Sequence, residues 1–200
     1  MVLTGPRKLT YPFTAEQISP LRAGQFVLLS GTLFTARDRI HKHLFDGGKS
    51  PVDLKNGIIY HCGPVVIRKD NQWLVRAAGP TTSIREEPYL PRIIKEHGIR
   101  AFIGKGSMGK MTEQACVAGG CVYLHAVGGA AQVLADRVVA VKEVYFGAEF
   151  GPAEAMWVLE VQDFPAIVAI DSRGRSLTQS VQAASRSMWR KLVADDPFVA

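Results

Sequence analysis

The sequence predicts an α/β fold with a mixed, partly parallel sheet. Strand–loop–helix units repeat through residues 80–140, and such units give parallel strands because the helix returns the chain to the starting edge of the sheet. Apolar runs on both sides of residues 69–72 form a hairpin signature, and further apolar runs follow residue 156. The hairpin and the late strands add antiparallel pairs, so we expect both kinds of pairing.

The length and composition fit one globular domain. We assign residues 1–200 to a single domain, with an N-terminal arm over residues 1–17 and a C-terminal helix over residues 176–200. Apolar residues make up 47% of the chain and charged residues 21%, as in ordinary soluble proteins. No run reaches the ~18 apolar residues of a membrane span, and the first residues do not resemble a secretion signal. We therefore expect a cytoplasmic protein without a membrane partner.

The charges and the cysteines exclude several classes of site. The net charge is +6, but the basic residues are spread out without interleaved aromatic residues, which argues against nucleic-acid binding. The three cysteines are Cys62, Cys116 and Cys121, an odd number in a chain without a secretion signal. No Cys-x-x-Cys pair is present. We expect buried thiols rather than disulfides or metal ligands.

The first predicted strand leads into a helix. Residues 25–30 form an apolar, β-rich run that Gly31 is expected to close. Thr35 is predicted to be the N-cap of the next helix, with Asp38 as its capping-box partner. Arg37 would then lie in the first turn, where its side chain and the free backbone N–H groups can face an anion. Two glycines at 47–48 would end the helix.

The remaining elements follow from apolar runs and from the turn residues between them. We predict strands at 58–60, 65–68, 73–76, 101–103, 121–124, 157–161 and 166–170, and a further strand that begins at 138. We predict helices at 89–97 and 112–118, a helix that residues 128–131 open, and a last helix that begins near 177.

Three separated loops each present one cation beside small residues. Arg37, Arg85 and Lys105 lie in these loops, which is the arrangement that a small multivalent anion requires. Arg85 can hold a carboxylate with two parallel hydrogen bonds, which a lysine cannot do. Nearby positive charge also favours the anion of a hydroxyl, so a hydroxyl in residues 79–85 can accept a proton. The alternative is that the loops only turn the chain and that Lys105 is solvated.

Three better-known sites fit less well. Residues 104–109 match G-x-G-x-x-G, but no carboxylate follows the next strand where a dinucleotide ribose would need it. A phosphate-binding P-loop would require glycine in place of Ile99 and a hydroxyl residue in place of Gly106. His41 and His43 are two residues apart on a helix and so face different sides, which argues against a shared metal.

An ordered set of motifs resembles one family. The motifs are Thr-Ala-Arg-Asp with His-Lys (35–38, 41–42), Cys-Gly-Pro (62–64), Gly-Pro-Thr-Thr-Ser-x-Arg (79–85), Gly-Lys-Gly (104–106), Gly-Gly-Ala-Ala (128–131) and Val-x-Asp-Phe-Pro-Ala (161–166). Over roughly residues 18–175 the chain is similar to the β subunit, or C-terminal domain, of the iron–sulfur hydro-lyases, which include class I fumarase and L-tartrate dehydratase.

The resemblance implies a fold, a partner and roles for matching residues. It implies a swivelling β/β/α domain that docks on an α subunit, as αβ or α2β2, and no metal ligands in this chain. The α subunit would hold a [4Fe-4S] cluster through three cysteines. Arg37, Arg85 and Lys105 would bind the carboxylates of a C4 dicarboxylate, and Thr81 would be the general base that removes the C3 proton of malate.

Some residues depart from the family pattern. Cys62 stands where alanine is usual, and Glu86 stands where methionine is frequent. The Gly-Lys-Gly-Ser-Met-Gly segment resembles the tartrate branch, whereas Asp-Phe-Pro-Ala-Ile-Val resembles fumarase. We expect reversible hydration of fumarate to L-malate. The alternatives are a β subunit of L-tartrate dehydratase or of a mesaconate-type hydratase, a non-catalytic anion-binding or assembly module, and a complete enzyme that uses Cys62 or His125.

Overall fold

The computed structural model describes residues 5–193 and contains nine strands and seven α-helices in that range. The strands are β1 (Arg7–Thr10), β2 (Phe26–Thr35), β3 (Ile58–Tyr60), β4 (Val65–Lys69), β5 (Gln72–Ala77), β6 (Ala101–Gly104), β7 (Val122–His125), β8 (Val138–Tyr145) and β9 (Met156–Ile170). The helices are α1 (Ala15–Ile18), α2 (Asp38–Phe45), α3 (Leu90–His97), α4 (Lys110–Gly119), α5 (Ala131–Ala135), α6 (Gly147–Phe150) and α7 (Leu177–Val193), with a 3-10 helix at Ser83–Glu86.

Seven strands form one mixed sheet in the order β1-β2-β3-β6-β7-β9-β8. The first five strands in that order are parallel to one another, whereas β9 is antiparallel to β7 and β8. β9 also pairs with β2, so β2, β3, β6, β7 and β9 form a closed ring of pairings. β4 and β5 form the separate antiparallel hairpin. The predicted α/β fold with a mixed sheet is confirmed.

Alternating side chains of the sheet belong to two hydrophobic clusters, because successive residues of a strand point to opposite faces. One cluster contains Tyr60, Ile103 and Leu124, together with Phe164 of β9. The second lies between the sheet and helices α2, α3 and α4. It contains Ile40, Leu44, Ile59, Leu90, Ile93, Phe102, Cys116 and Tyr123. Burial on both faces explains why these short strands are continuous apolar runs.

Several local predictions are confirmed. The hairpin turns at Asp70 and Asn71, which both have positive φ (50° and 61°), the backbone that favours a two-residue turn. α3 ends at Gly98, whose φ of 63° and ψ of 33° place it in the left-handed region. α4 ends in the same way at Gly120. Local turn chemistry is sufficient to place these boundaries.

The predicted end of the first strand and start of the next helix were wrong. β2 continues through Gly31 to Thr35, with a register shift between Leu29 and Gly31. Thr35 is not an N-cap: its hydroxyl donates to the carbonyl of Ala155 and accepts from the backbone N–H of Trp157. These two hydrogen bonds to the start of β9 occupy the Thr35 hydroxyl, so it does not cap the helix. α2 begins at Asp38, and Arg37 takes the N-cap position without a side-chain cap.

The two predicted strands after residue 156 are one strand of 15 residues, β9. The residues that suggested a break include Asp163, which has a φ of 48°, and Pro165. Pro165 pairs with Leu28 of β2 and lies between the stretches that pair with β8 and with β7. Neither β7 nor β8 pairs with β9 at Pro165. The missing N–H of Pro165 therefore removes no hydrogen bond between β9 and either of these strands.

The N-terminal end of the described chain joins the sheet, whereas the C-terminal end is an exposed helix. Residues 7–10, within the expected N-terminal arm, pair in parallel with β2. α7 has no buried residue, and its apolar side chains at Val181, Met188 and Leu192 are exposed. The last seven residues of the predicted C-terminal helix, 194–200, lie outside the described residues. Within residues 5–193, no helix has the length and apolarity needed to cross a membrane.

Candidate anion-binding site at the sheet edge

The residues predicted to form the site follow the ends of neighbouring parallel strands. Arg37 lies two residues after β2, and Lys105 lies directly after β6. His61 lies directly after β3, and β3 pairs in parallel with both β2 and β6. The carboxyl ends of parallel strands meet at one edge of a sheet, which is where ligands bind in many α/β folds. The fold therefore brings these segments to one edge.

Backbone hydrogen bonds join the two loops that contain Thr81, Arg85 and Lys105. The N–H of Thr81 donates to the carbonyl of His61 (2.7 Å), and the N–H of Lys105 donates to the carbonyl of Thr81 (3.3 Å). The N–H of Ser83 in turn donates to the carbonyl of Lys105 (3.1 Å). These bonds fix the candidate base and the candidate lysine on adjacent segments.

Glycine is required on each side of Lys105 for a different structural reason. A Cβ at Gly104 would lie 1.7 Å from Oγ of Ser83 and 3.1 Å from Nδ1 of His61, so no larger residue fits there. Gly106 has open space around it but a φ of +81°, which disfavours other residues. Glycine at 104 thus allows the loops to approach closely, and glycine at 106 allows the turn.

Arg85 lies in the 3-10 helix and contacts two other candidate residues. One of its terminal nitrogens, Nη2, lies 3.1 Å from Oδ2 of Asp38 and 3.4 Å from Oγ1 of Thr81. The Arg85 side chain is still 48% exposed. Because Asp38 is the neighbour of Arg37 in the chain, this ion pair also links Arg85 to the start of α2.

Arg37 is held by the loop between α6 and β9. Its Nε lies 3.4 Å from Oε1 of Glu154, and its Nη1 donates to the carbonyl of Ala153 at 3.4 Å. The other oxygen of Glu154 accepts from the backbone N–H of Arg39 at 3.1 Å, at the start of α2. A Cβ at Gly63 would lie 2.4 Å from the carbonyl oxygen of Ala153, so glycine is needed there for this loop to approach.

The balance of charge at this edge is positive. Arg37 and Arg85 each face one carboxylate, those of Glu154 and Asp38. Lys105 is exposed, and no carboxylate of residues 5–193 lies within ion-pairing distance of it. Three cations and two carboxylates leave one positive charge in excess. The arrangement can therefore attract a small anion.

A layer of polar side chains lies buried beneath the exposed cations. His41, His61, Ser83 and Glu86 are all fully buried. Nδ1 of His61 lies 2.8 Å from Oγ of Ser83, and the rings of His41 and His61 meet edge to face with centroids 4.9 Å apart. Nδ1 of His41 lies 3.0 Å from the carbonyl oxygen of Arg37 and 3.5 Å from Oε2 of Glu86. This layer connects α2, β3 and the 3-10 helix.

Burial favours the neutral form of each ionisable group in this layer. It lowers the pKa of His41 to about 4, and burial and then the neighbouring His41 lower the pKa of His61 well below its usual value. Burial is also the main reason why the pKa of Glu86 is raised to about 8. The separation of His41 and Glu86 would suit an ion pair, but near neutral pH both are neutral, because desolvation outweighs their attraction.

The structure adds residues that the sequence did not indicate as part of the site. The sequence indicates Asp38 only as a helix cap, although its position beside Arg37 is a signal. Glu154 gave no local signal, because more than 100 residues separate it from its partners. Glu86 was noted only as a departure from the family pattern, and His61 and Ser83 were not noted as partners.

The residues proposed for a complete one-chain enzyme have unsuitable surroundings. Cys62 is fully buried, and burial raises the pKa of its thiol to about 12, so a reactive thiolate is disfavoured. His125 has Nε2 2.7 Å from the carbonyl oxygen of Gly106, and burial lowers its pKa. The His125 contact thus gives the ring a structural role in the turn after β6.

The described cysteines do not fit an iron–sulfur cluster. All three are buried and free, with Cys62 in one hydrophobic cluster and Cys116 and Cys121 in the other. Such a cluster needs cysteines that converge on one point. Among residues 5–193, no three His, Cys, Asp or Glu side chains form a metal-binding group.

The chain is similar to known proteins over nearly all of its length. The family model described as "Fumarase C-terminus" matches residues 7–181. The chain is 53% identical over 178 residues to "Putative fumarate hydratase class I" of Geobacillus stearothermophilus, covering 88% of this chain and 34% of that protein. It is 40% identical over 184 residues to "Putative L(+)-tartrate dehydratase subunit beta" of Methanocaldococcus jannaschii, covering 90% and 93%. It is 36% identical over 171 residues to "L(+)-tartrate dehydratase subunit beta" of Escherichia coli K12, covering 84% and 85%.

The coverage differs between these relatives. The chain spans only 34% of the length of the fumarate hydratase relative, but 93% and 85% of the two tartrate dehydratase β subunits. The same unit thus corresponds to part of a longer chain in one relative and to almost a whole chain in the others. The match over residues 7–181 shows that the chain belongs to the fumarase C-terminus family.

Proposed function

We propose that this chain is the β subunit of a two-subunit hydro-lyase that reversibly hydrates fumarate to L-malate. The main support is geometric: Arg37, Thr81, Arg85 and Lys105 follow neighbouring elements at one edge of the sheet, where positive charge is in excess. Membership of the fumarase C-terminus family agrees with this assignment. The 53% identity to a relative named as a fumarate hydratase favours fumarate as the substrate.

The cations provide the binding of a dicarboxylate. Arg85 keeps about half of its side chain exposed and can turn two parallel N–H groups toward a carboxylate. Arg37, fixed from behind by Glu154, and Lys105, without a carboxylate partner in the described chain, can bind the second carboxylate. Two negative charges on the substrate match this distribution of cations.

Thr81 is the proposed general base for the proton on C3 of malate. Its hydroxyl oxygen lies 3.4 Å from Nη2 of Arg85, whose positive charge favours the deprotonated alkoxide of Thr81. In that form the oxygen can accept the C3 proton and return to the neutral hydroxyl. Removal of a proton next to a carboxylate also places further negative charge on that carboxylate. The same cations then stabilise the transition state more than the ground state, which lowers the barrier.

The remaining chemistry is assigned to a partner subunit. The relatives named "subunit beta" support the existence of a partner, and we propose an α subunit that holds a [4Fe-4S] cluster, in an αβ or α2β2 assembly in the cytoplasm. The buried, separated cysteines of this chain do not fit such a cluster. When bound in the partner, its iron would supply a Lewis acid for the departing hydroxyl group.

A β subunit of L-tartrate dehydratase is the second candidate. The chain spans 93% and 85% of two relatives with that name, which favours the separate-subunit arrangement, although the identities are lower at 40% and 36%. Comparison of kcat/KM for fumarate, mesaconate and L-tartrate with the assembled enzyme distinguishes the substrates. We expect fumarate to have the highest value.

The Arg85→Ala variant of the assembled enzyme tests the proposal. The variant loses a desolvated contact with the substrate carboxylate. We expect kcat/KM for fumarate to fall more than roughly 100-fold, which corresponds to a loss of at least ~3 kcal/mol of transition-state stabilisation. Arg92→Ala is the matched control, because Arg92 is similarly exposed and pairs with Glu96 on the same helix. Near-normal turnover by Arg85→Ala would contradict the assignment.

A further inference from the structure

Glu86 is a fully buried carboxyl group next to a half-exposed cation. Arg85 and Glu86 are consecutive residues of the 3-10 helix, yet Glu86 has 0% exposed surface and Arg85 points to the sheet edge. Neither carboxyl oxygen of Glu86 has a hydrogen-bond partner among the described residues. An ionised carboxylate in such surroundings is very unfavourable, whereas a neutral carboxylic acid is tolerated.

The charged and titratable groups near Glu86 come from α2, the 3-10 helix, the residue after β3 and the loop before β9. They are Asp38 and His41 of α2, His61 after β3 (through His41), Arg85 of the 3-10 helix and Glu154 of the loop before β9. The pKa of Glu86 is raised to about 8, mainly by burial and then by the negative charge of Asp38, with Arg85 opposing and Glu154 adding to the increase. His41 does not offset this effect, because burial keeps it neutral.

The protonation of Glu86 changes the charge of the whole site. Arg37 and Arg85 face the carboxylates of Glu154 and Asp38, and Lys105 faces none in residues 5–193, which leaves one positive charge in excess while Glu86 is neutral. If Glu86 loses its proton, three carboxylates balance three cations and the excess disappears. An added negative charge within several ångströms of a bound dianion weakens its binding by about tenfold or more at a protein-like dielectric.

We propose that Glu86 is a positioning residue for the candidate site: as a neutral acid it leaves Arg85 available to a substrate carboxylate, and as a carboxylate it competes for that charge and weakens substrate binding. This inference rests on the proposed function for the identity of the substrate. Glu86 is buried and does not contact the substrate, yet under this inference its charge controls the affinity for substrate at alkaline pH.

The pH dependence of KM and kcat for fumarate in the assembled enzyme tests this inference. In the wild-type enzyme, KM should rise about tenfold between about pH 7 and about pH 9, whereas kcat should change less. In Glu86→Gln, KM should stay nearly constant over the same range and match the wild-type value near neutral pH. Glu96→Gln, an exposed carboxylate of α3, is the control and should retain the alkaline increase.

Two further measurements keep the test decisive. Glu86→Met replaces the carboxyl group with an apolar side chain of similar length and should also lack the alkaline increase in KM. It replaces Glu86→Gln in the test if that variant folds poorly. Infrared difference spectra of the full chain, wild type minus variant, should show a protonated carboxyl C=O band near neutral pH that disappears above about pH 8. This band reports on Glu86 whether or not the enzyme turns over fumarate.

The two proposals fail in different ways. An assembled wild-type enzyme without activity on any of the diacids would count against the proposed function, while the infrared band would still report the state of Glu86. An alkaline increase in KM that persists in the Glu86 variants would overturn the inference. So would the absence of the carboxyl band from the wild-type spectrum near neutral pH.

Discussion

Under the proposed function, Arg85 exchanges one carboxylate for another when substrate binds. Its present partner is Asp38, and both side chains of that pair are about half exposed, at 48% and 45%. An exposed ion pair stabilises a protein by only about 0–1 kcal/mol. A bidentate contact in a closed, desolvated site is worth several times more. Asp38 can therefore orient the guanidinium of Arg85 in the free protein without preventing substrate binding.

Burial of His41, His61 and Glu86 also makes the folded state sensitive to pH. Below about pH 6.5 the unfolded chain binds protons on its histidines, but folded His41, with its pKa of about 4, does not, so stability falls as the pH decreases. Glu86 acts in the opposite direction. Its pKa of about 8 in the folded state exceeds its usual value of 4.5. Glu86 therefore adds fully to the free energy of unfolding below pH 4.5, and this addition is lost as the pH rises through 8.

Substitution of Glu86 should remove this second effect. We expect the free energy of unfolding of Glu86→Gln, relative to wild type, to increase by ~2–4 kcal/mol as the pH rises from about 5 to about 8.5, because Gln has no proton to retain. Urea unfolding of the full chain at several pH values measures this difference. A difference that stays constant with pH would show that Glu86 is not held neutral. Glu96→Gln should show no such trend.

At the scale of elements, the approach of β6 to the 3-10 helix depends on one glycine. Gly104 ends β6, and its Cα faces Oγ of Ser83 and the ring of His61. The hydrogen bonds that join Thr81, Ser83 and Lys105 require this close contact. Packing at this point thus determines whether Thr81 and Lys105 lie on adjacent segments.

Gly104→Ala should separate these segments. The added Cβ would lie 1.7 Å from Oγ and 3.1 Å from Cβ of Ser83, so either the Ser83 hydroxyl leaves His61 or the 3-10 helix moves. We expect a loss of stability of about 1–3 kcal/mol, measured by urea unfolding, together with at least a tenfold loss of kcat/KM in the assembled enzyme. Gly147→Ala is the control, because its Cβ would meet only ordinary contacts, the nearest at 3.7 Å. Unchanged stability and activity of Gly104→Ala would contradict this role.

The elements also show what local sequence can and cannot predict. The hairpin turn at residues 70–71 and the left-handed glycine after α3 depend on neighbouring residues only, and both were predicted. The extension of β2 beyond Gly31 to Phe34 and the continuity of β9 depend on pairing between strands that are more than 100 residues apart. Gly31 and Pro165 suggested breaks because their local preferences say nothing about that pairing.

The same distinction applies to the site. Thr81, Arg85 and Lys105 lie in short motifs of small residues, so their candidacy was visible in the sequence. The carboxylate that holds Arg37 belongs to Glu154, and only the fold shows it. The buried layer of polar side chains could not be predicted for a similar reason, because the sequence does not indicate whether a histidine or glutamate is buried.

At the scale of the whole molecule, the candidate site opens to one side. Lys105 is exposed and Arg85 is half exposed, so this chain alone does not enclose a substrate. Electrostatic catalysis is most effective when water is excluded from the reacting groups. Under the proposed function the partner subunit closes the open side, and the relative in which this unit is 34% of a longer chain shows that the unit also occurs within a longer chain.

Under the proposed function, this chain provides the cations and the base for a site that a second subunit completes. The most direct test is a steady-state assay of fumarate hydration with the purified chain, with its purified α partner carrying its cluster, and with the two mixed. We expect turnover in the mixture and none above background with either component alone. Turnover of fumarate by the lone chain would contradict this division of roles between the subunits.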